Sequence, residues 1–296
     1  MLLNKRISIS YFLKIIKVDV LIIVLFSIII GFFDQNGFLE NISVPLGVTA
    51  VFGTAVALLL AFRTNQAYDR WWEARIIWGA IVNDSRTLIR QTVCIFNKEH
   101  ENYESTVKEI SNRQIIWCYA LGESLRNQPF SQRVQEYIDS NEIEAFNVPN
   151  ALLVAHSESI QRAKKSNMLN DFQELQIDST IARLCDSMGK CERIKNTVFP
   201  KAYSILVHII IYVFAAMLPF GLFDKYLAVQ IGLTIVIPVI FIAIEKTSIL
   251  MQDPFENEPL DTPMTDLAET IEINLKQMVG DSNTPQKKKS ETYYVL

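Results

Sequence analysis

Long stretches without charged side chains constrain this chain more than any other feature of its sequence. Four such stretches contain a single Asp, Glu, Lys or Arg between them, which is Asp19. A helix needs about 20 apolar residues to cross the hydrocarbon core of a bilayer, so the sequence predicts four membrane-spanning helices. The stretches are residues 18–33, 41–62, 202–223 and 226–244.

The first of these stretches is the shortest and allows two interpretations. It spans a bilayer only if residues 13–18 extend it, with Lys14 and Lys17 reaching back to the interface. The alternative is a secretory signal peptide, but no small-residue cleavage site follows the apolar part. We therefore interpret residues 18–33 as the first span, preceded by a cytoplasmic segment of residues 1–17.

The distribution of Lys and Arg around the spans predicts their orientation. Four basic residues precede the first span, none lies between the first and second spans, and five arginines follow the second span closely. Because basic residues accumulate on the cytoplasmic side, both termini and residues 63–201 are predicted to be cytoplasmic, in a cell membrane. The basic residues are Lys5, Arg6, Lys14 and Lys17, then Arg63, Arg70, Arg75, Arg86 and Arg90.

The region 63–201 is electrically neutral, with 18 basic and 18 acidic residues. Its apolar residues recur at spacings of three, four and seven, as in residues 78–96, which is typical of amphipathic helices. No part of it alternates at the period of a strand. The fold class predicted for the chain is therefore an all-α membrane protein with four spans and a large cytoplasmic helical region.

The chain after the fourth span differs in composition from the rest. Residues 245–279 contain three prolines, and between Asp253 and Glu272 there are seven acids and no Lys or Arg. Residues 280–296 are polar, and we expect a mobile tail there. Acids outnumber bases 10 to 5 after the fourth span, which suggests a modest preference for cations in any passage that these residues line.

Composition and motifs exclude several functional classes. The net charge of −4 argues against binding to nucleic acid. The chain has no Walker loop, no dinucleotide-binding turn, no nucleophile elbow and no His-Glu-x-x-His motif, so we do not expect an enzyme. Of three histidines, only His208 falls within a span; it has either a hydrogen-bonded packing role or a role in proton transfer.

The second span carries two stripes at helical spacing. Thr54, Leu58 and Phe62 form one stripe of larger residues, four residues apart. The small residues that follow form a second stripe, which permits close helix approach in lipid. One close-packed face and one bulky apolar face suit a helix that lines a pore, although chance periodicity in a buried span explains the pattern equally well. The small residues are Gly47, Ala50, Ala57 and Ala61.

The sequence directly after the second span reads Phe62-Arg-Thr-Asn-Gln-Ala-Tyr-Asp-Arg-Trp-Trp-Glu. The adjacent Trp71 and Trp72 fit an aromatic anchor at the membrane interface. That interpretation does not account for Asn65, Tyr68 and Asp69 as a set.

At these residues the chain resembles the bestrophin family of ion channels. The resemblance is strongest at Arg70-Trp71-Trp72-Glu73 and at the Asp84-Ser85-Arg86 that follows. It recurs at Cys191-Glu192-Arg193-Ile194 and at Asp253-Pro254-Phe255, in the same order along most of the chain. The resemblance implies a pentameric ring of helical subunits around one pore.

The resemblance also implies positions for the pore residues. An apolar neck falls on Thr54, Leu58 and Phe62, and Thr54 makes its outer ring more polar than is usual in the family. A second constriction, at the cytoplasmic exit, falls on Leu175, with Ile177 as a close alternative.

Animal members of the family bind calcium through an acidic run, which corresponds here to Asp253, Glu256, Glu258 and Asp261. Pro259 and Leu260 interrupt that run, and calcium needs six to eight converging oxygens. We therefore expect the acidic cluster Asp253–Glu272 to be a solvated surface, and we expect no cofactor.

The function predicted from the sequence is an oligomeric channel for small monovalent ions. Its partners are other copies of the chain, the bilayer and the ions, and nucleic acid is not among them. The family is usually described as passing chloride or other anions, and some bacterial members pass cations. The alternative is a membrane-anchored sensor or scaffold that binds a cytoplasmic partner; a transporter is less consistent with four spans and no inverted repeat.

Overall fold

The computed structural model describes residues 9–35, 44–197, 199–222, 227–287 and 294–295, and these form nine α-helices. The all-helical prediction is therefore confirmed for the described residues. In chain order the helices are α1 (Ile9–Gln35), α2 (Leu46–Ile95), α3 (Tyr103–Leu125), α4 (Gln132–Ser140), α5 (Val148–Lys165), α6 (Asp171–Asn196), α7 (Lys201–Gly221), α8 (Leu227–Gln252) and α9 (Met264–Met278).

Four of these helices are long and apolar enough to cross a membrane, namely α1, α2, α7 and α8. They coincide with the four predicted stretches. Helix α1 begins at Ile9, so the second half of the predicted cytoplasmic segment 1–17 is helical too. Lys14 and Lys17 are exposed on α1. Their charges therefore lie outside the packed face, and the helix continues through this segment. The links predicted between the spans fall mostly outside the described residues.

Helix α2 does not end where its apolar stretch ends. It is 50 residues long, whereas the predicted span stops at Phe62. From Arg63 to Trp78 the sequence contains neither Pro nor Gly, so nothing interrupts the backbone hydrogen bonds when the side chains change from apolar to polar. The predicted region 63–201 thus begins inside a continuous helix.

The chain divides into two compact units. The first, here called the membrane unit, comprises Asn4–Arg70 and Val198–Asp253. Its core joins Val56 and Leu60 of α2 to Val207 and Ile211 of α7 and to aliphatic residues of α1 and α8. Close helix approach depends on glycine: a Cβ added at Gly53 would lie 3.1 Å from Cε2 of Phe214.

The second unit, here called the polar unit, comprises Trp71–Thr197 and Pro254–Leu296, together with Met1–Leu3, which lie outside the described residues. Helix α3 packs against α4, α5, α6 and α9. Trp78 and Trp117 are fully buried at its core, and Nε1 of Trp117 donates to the carbonyl of Pro149 at 3.0 Å. Helix α6 begins with a capping box, in which Asn170 and Gln173 satisfy each other's backbone N–H groups.

The start of the predicted mobile tail packs against α9. Nζ of Lys276 donates to the carbonyl of Asn283 at 3.1 Å. Nζ of Lys287 donates to Asp266 at 3.0 Å and to Thr270 at 2.9 Å. Residues 280–287 therefore have specific partners, because acidic and hydroxyl groups on α9 attract the lysine of the tail. Most of the remaining tail lies outside the described residues.

Candidate functional site

The stripe predicted to form a neck lies on the face of α2 that is turned away from the rest of its subunit. Leu58 is 56% exposed and Phe62 is 58% exposed, and Thr54 is exposed as well. The hydroxyl of Thr54 donates to the carbonyl of Ala50 at 2.9 Å, so its proton is directed to the helix backbone. The stripe therefore presents a largely apolar surface.

The opposite face of the same helix segment is buried. Val56, Leu60 and Ala67 have almost no exposed surface, and neither does Arg63. These residues recur at the helical period, and Val56 and Leu60 belong to the core of the membrane unit. The periodicity that picked out the exposed stripe in the sequence thus separates two real faces of α2.

The stripe of small residues is also exposed. Gly47, Ala50, Ala57 and Ala61 all lie at the surface of the subunit. Ala57 and Ala61 line a groove of about 500 Å³ whose other wall includes Phe241 and Ile244 of α8. Because close-packed faces in lipid are built from small residues, this groove suits a neighbouring helix.

Directly behind the stripe, Arg63 is held by a buried ion pair. Its Nη1 donates to Oε1 of Glu245 at 3.2 Å, and both side chains are 1% exposed. Its Nη2 donates to the hydroxyl of Ser204 at 3.0 Å, and the guanidinium lies 5.8 Å from the ring centroid of Phe199. Since a lone buried charge is costly, the pair fixes the register of α2 against α7 and α8.

His208 extends this ion pair into a larger network. Its Nδ1 lies 2.8 Å from Oε2 of Glu245, and its Nε2 lies 4.0 Å from Oδ1 of Asp19. The hydroxyl of Tyr212 donates to Oδ1 of Asp19 at 2.9 Å, and Nζ of Lys246 lies 3.4 Å from Oδ2. No spacing in the sequence predicts this network, although Asp19 is the only charge in the first apolar stretch, and Arg63 and Glu245 are the first charges after the second and fourth stretches.

The Arg-Trp-Trp-Glu motif at residues 70–73 places its four side chains in different environments. In the membrane unit, Nε of Arg70 donates to the carbonyl of Gln252 at 2.7 Å, and its Nη2 lies 3.7 Å from Asp253. The motif arginine thus ties α2 to the end of α8.

The remaining motif residues belong to the polar unit. Nε1 of Trp71 donates to the carbonyl of Leu260 at 2.7 Å, and Glu73 accepts from Nη2 of Arg193 at 2.5 Å. Trp72 is half exposed. Trp71 therefore has a specific hydrogen-bonding role in addition to any place at a membrane interface.

The two candidates for the second constriction differ in burial. Leu175 is 69% exposed in the second turn of α6, whereas Ile177 is fully buried in the core of the polar unit. Only Leu175 can therefore contact a passage outside the subunit without unfolding α6. Its role in a constriction stays a prediction.

An acidic groove of about 590 Å³ lies beside Leu175, between α5 and α6. Part of its charge is already neutralised, because Nζ of Lys164 lies 2.8 Å from Asp171 and 2.6 Å from Glu174. Glu158 and Asp178 complete the acidic lining.

The four acids that correspond to the family's calcium-binding run have other partners. Asp253 pairs with Arg70 at 3.7 Å, and Glu256 pairs with Lys195 at 2.6 Å. Oδ2 of Asp261 accepts from the backbone N–H of Glu258 at 3.1 Å. Within the part of the chain that the structure describes, no three His, Cys, Asp or Glu side chains are grouped so that they could hold a metal ion.

Two of the acids expected on a solvated surface are buried instead. Asp261 has almost no exposed surface, and burial raises its pKa to about 6, although backbone N–H groups of residues 256–258 oppose the shift. Glu272 is also buried; burial would raise its pKa, but hydrogen bonds from Arg133 and Lys276 lower it overall. The prediction of a uniformly solvated surface is therefore wrong at these two positions, because local donors compensate the burial.

Comparisons with known proteins agree with this arrangement. A family model described as bacterial and fungal bestrophin protein matches residues 6–277. The voltage-dependent anion channel-forming protein YneE of Escherichia coli is 28% identical over 260 residues, which cover 86% of this chain and 84% of that protein. A protein of the same description from Nostoc, alr2987, is 29% identical over 246 residues, which cover 81% of this chain and 79% of that protein.

A solved structure is similar along most of its length. The crystal structure of a bacterial bestrophin homologue from Klebsiella pneumoniae superposes with a TM-score of 0.82 at 26% identity. The match covers 90% of this chain and 98% of that one.

Proposed function

The chain belongs to the bacterial and fungal bestrophin family, and on this premise we propose that it forms a ring-shaped channel that conducts small monovalent anions. Bestrophins are channels and not enzymes, and the named relatives are described as forming anion channels. The proposal places the ring in the cell membrane with both termini in the cytoplasm. The subunit number suggested by the family resemblance is five.

The observation that carries this proposal is the exposed apolar stripe of α2. Among the described residues, Leu58 and Phe62 stay more than half exposed, while the opposite face of the helix is buried and ion-paired. On a helix long enough to cross a membrane, the stripe of small residues beside them favours contact with neighbouring helices over contact with lipid. Surrounding an axis with several copies of α2 gives both stripes a role.

Rings of Leu58 and Phe62 would act as a barrier that depends on wetting. A narrow passage lined by hydrocarbon empties of water, and an ion that crosses it loses hydration without gaining replacement oxygens. Conduction then requires a widening of the neck. No charged group is needed at the neck itself, so the sign of the permeant ion is decided by the regions on either side.

The distribution of partners of the acidic residues supports anions over the modest cation preference expected from composition. Besides Asp253, which pairs with Arg70, four of the acids after the fourth span are neutralised by a basic side chain within the subunit. Pairing lowers the local negative potential that would favour cations. The acids are Glu245, Glu256, Glu272 and Asp266.

The experiment that tests the function uses purified protein in a planar bilayer. The proposal predicts a stable oligomer in detergent, single-channel currents, and a reversal potential near the chloride equilibrium value under a potassium chloride gradient. A reversal potential near the potassium equilibrium value would mean that the channel conducts cations and not anions. A monomer without currents would favour the alternative of a membrane-anchored scaffold.

A further inference from the structure

The buried network around His208 has no part in the neck mechanism described above. Its members lie at one end of the apolar part of every membrane helix: Asp19 at the start of that part in α1, Arg63 directly after it in α2, His208 in the second turn of α7, and Glu245 directly after it in α8. In the predicted topology this is the cytoplasmic end. One histidine therefore contacts a network that joins all four spans.

The acidic and basic groups of the network around His208 are equal in number. Its partners are Glu245 of α8 at 2.8 Å and Asp19 of α1 at 4.0 Å. Those carboxylates are in turn paired with Arg63 at 3.2 Å and Lys246 at 3.4 Å. Two acids and two bases sum to zero, so the protonation state of the imidazole sets the net charge of the network. Tyr212 and Ser204, both of α7, complete its polar contacts.

The distances indicate which ring nitrogen holds a proton. At 2.8 Å from a carboxylate oxygen, Nδ1 must carry its hydrogen and donate it to Glu245. In the neutral ring, Nε2 then turns a lone pair towards Asp19, 4.0 Å away. The lone pair and the carboxylate of Asp19 repel each other. A proton from solution that binds Nε2 forms an N–H bond there, and the repulsion becomes an attraction.

His208 is the histidine best placed to take up such a proton. It is 37% exposed and lines an apolar groove of about 480 Å³ between α1 and α7. His156 is fully buried in the polar unit, where burial and then Arg113 lower its pKa well below the ordinary value, so it stays neutral. His100 is partly buried in the connection between α2 and α3, where its Nε2 lies 3.0 Å from the carbonyl of Ser166 in the polar unit.

We propose that His208 is a proton-binding site that couples pH to conduction through Glu245 and Arg63. Protonation draws α1 and α8 onto α7, because the imidazolium attracts the carboxylates of both Asp19 and Glu245. Arg63 directly follows Phe62, so a tighter network keeps the neck narrow and current falls as the pH falls. This inference rests on the proposed function, because it uses current as its first measure.

The test is the pH dependence of the current in planar bilayers, with each chamber acidified in turn from about pH 8 to about pH 5.5. The parent protein should lose current on acidification of one chamber, at most about tenfold per pH unit for one titrating group. His208→Gln, which keeps a polar side chain of similar length but cannot become a cation, should abolish this dependence. His100→Gln is the matched control and should behave as the parent does.

Equal pH dependence in the parent and in His208→Gln would overturn the proposal, as would currents in the parent that do not respond to pH. If no variant gives current at any pH, the proposed function fails. Thermal unfolding in detergent then tests proton binding at His208 without any measurement of current. The difference in unfolding midpoint between the parent and His208→Gln should change between about pH 8 and about pH 5.5. A constant difference would rule out proton binding at His208.

Discussion

The membrane unit and the polar unit both have apolar cores, but they differ in where they place an arginine–glutamate pair and large apolar side chains. In the membrane unit the pair of Arg63 and Glu245 is almost completely inside, at 1% exposure each, while Leu58 and Phe62 are outside. In the polar unit Trp78 and Trp117 are inside, while the pair of Arg193 and Glu73 lies at the surface. The difference teaches that the surroundings decide which side chain is turned outwards, since an apolar neck accepts leucine and water accepts ions.

The largest expected effect comes from breaking the buried ion pair of the membrane unit. Arg63→Ala leaves Glu245 buried without its guanidinium partner, and the loss should be about 3–5 kcal/mol of the free energy of unfolding. Arg193→Ala breaks an exposed pair in the polar unit and should change the unfolding midpoint little. The measurement is thermal unfolding in detergent, and equal losses in both variants would contradict the contrast between the units.

A smaller effect separates the two faces of α2. Leu60→Ala removes a buried side chain from the core of the membrane unit and should cost about 2–5 kcal/mol. Leu58→Ala, two residues away, removes an exposed side chain and should leave the unfolding midpoint of the isolated subunit nearly unchanged. The midpoints should be compared after dissociation of the oligomer; similar losses would mean that both leucines are packed inside the subunit.

The polar unit should show a pH-dependent stability through Asp261. Its pKa is raised from 3.8 to about 6 by burial, so the folded state retains the proton over a range in which the unfolded state has lost it. Its contribution to stability is therefore full below about pH 4 and is lost as the pH rises through about 6.

Asp261→Asn removes this titration while keeping one oxygen for the backbone donors. The unfolding midpoint of the variant relative to the parent should therefore rise between about pH 4 and about pH 7. Parallel midpoint curves for the two proteins would show that Asp261 does not titrate in this range.

The smallest expected effect is that of removing calcium. The acids of residues 253–261 already pair with Arg70 and Lys195 or cap their own loop, so a chelator should leave both current and unfolding midpoint unchanged. Loss of current on chelation, restored by micromolar calcium, would mean that these acids leave their present partners to bind the metal.

The four spans and the exposed stripe of α2 could be predicted because they depend on local sequence. The absence of charge over about 20 residues is decisive for a membrane helix, and a step of four residues is decisive for a shared helix face. The length of α2 was less predictable, since the change at Arg63 from apolar to polar residues looks like a boundary although the backbone continues.

The network of His208 and the partners of the acidic run could not be predicted from the sequence. Arg63 and Glu245 are 182 positions apart, and Asp19 and Tyr212 are 193 apart, so no spacing rule connects them. Burial of Asp261 was equally hidden, because its partners are backbone N–H groups that any residue provides.

The central claim is that the exposed stripe of α2 faces a conducting passage, and single-channel conductance tests it most directly. Leu58→Ala and Phe62→Ala should each wet the neck and raise the conductance or open probability, with the larger increase for Phe62→Ala because more hydrocarbon is removed. Thr54→Ser, which keeps the hydroxyl in the same stripe, should change conduction much less. If both alanine variants remain oligomeric and conduct as the parent does, the stripe packs against neighbouring helices and does not line the pore.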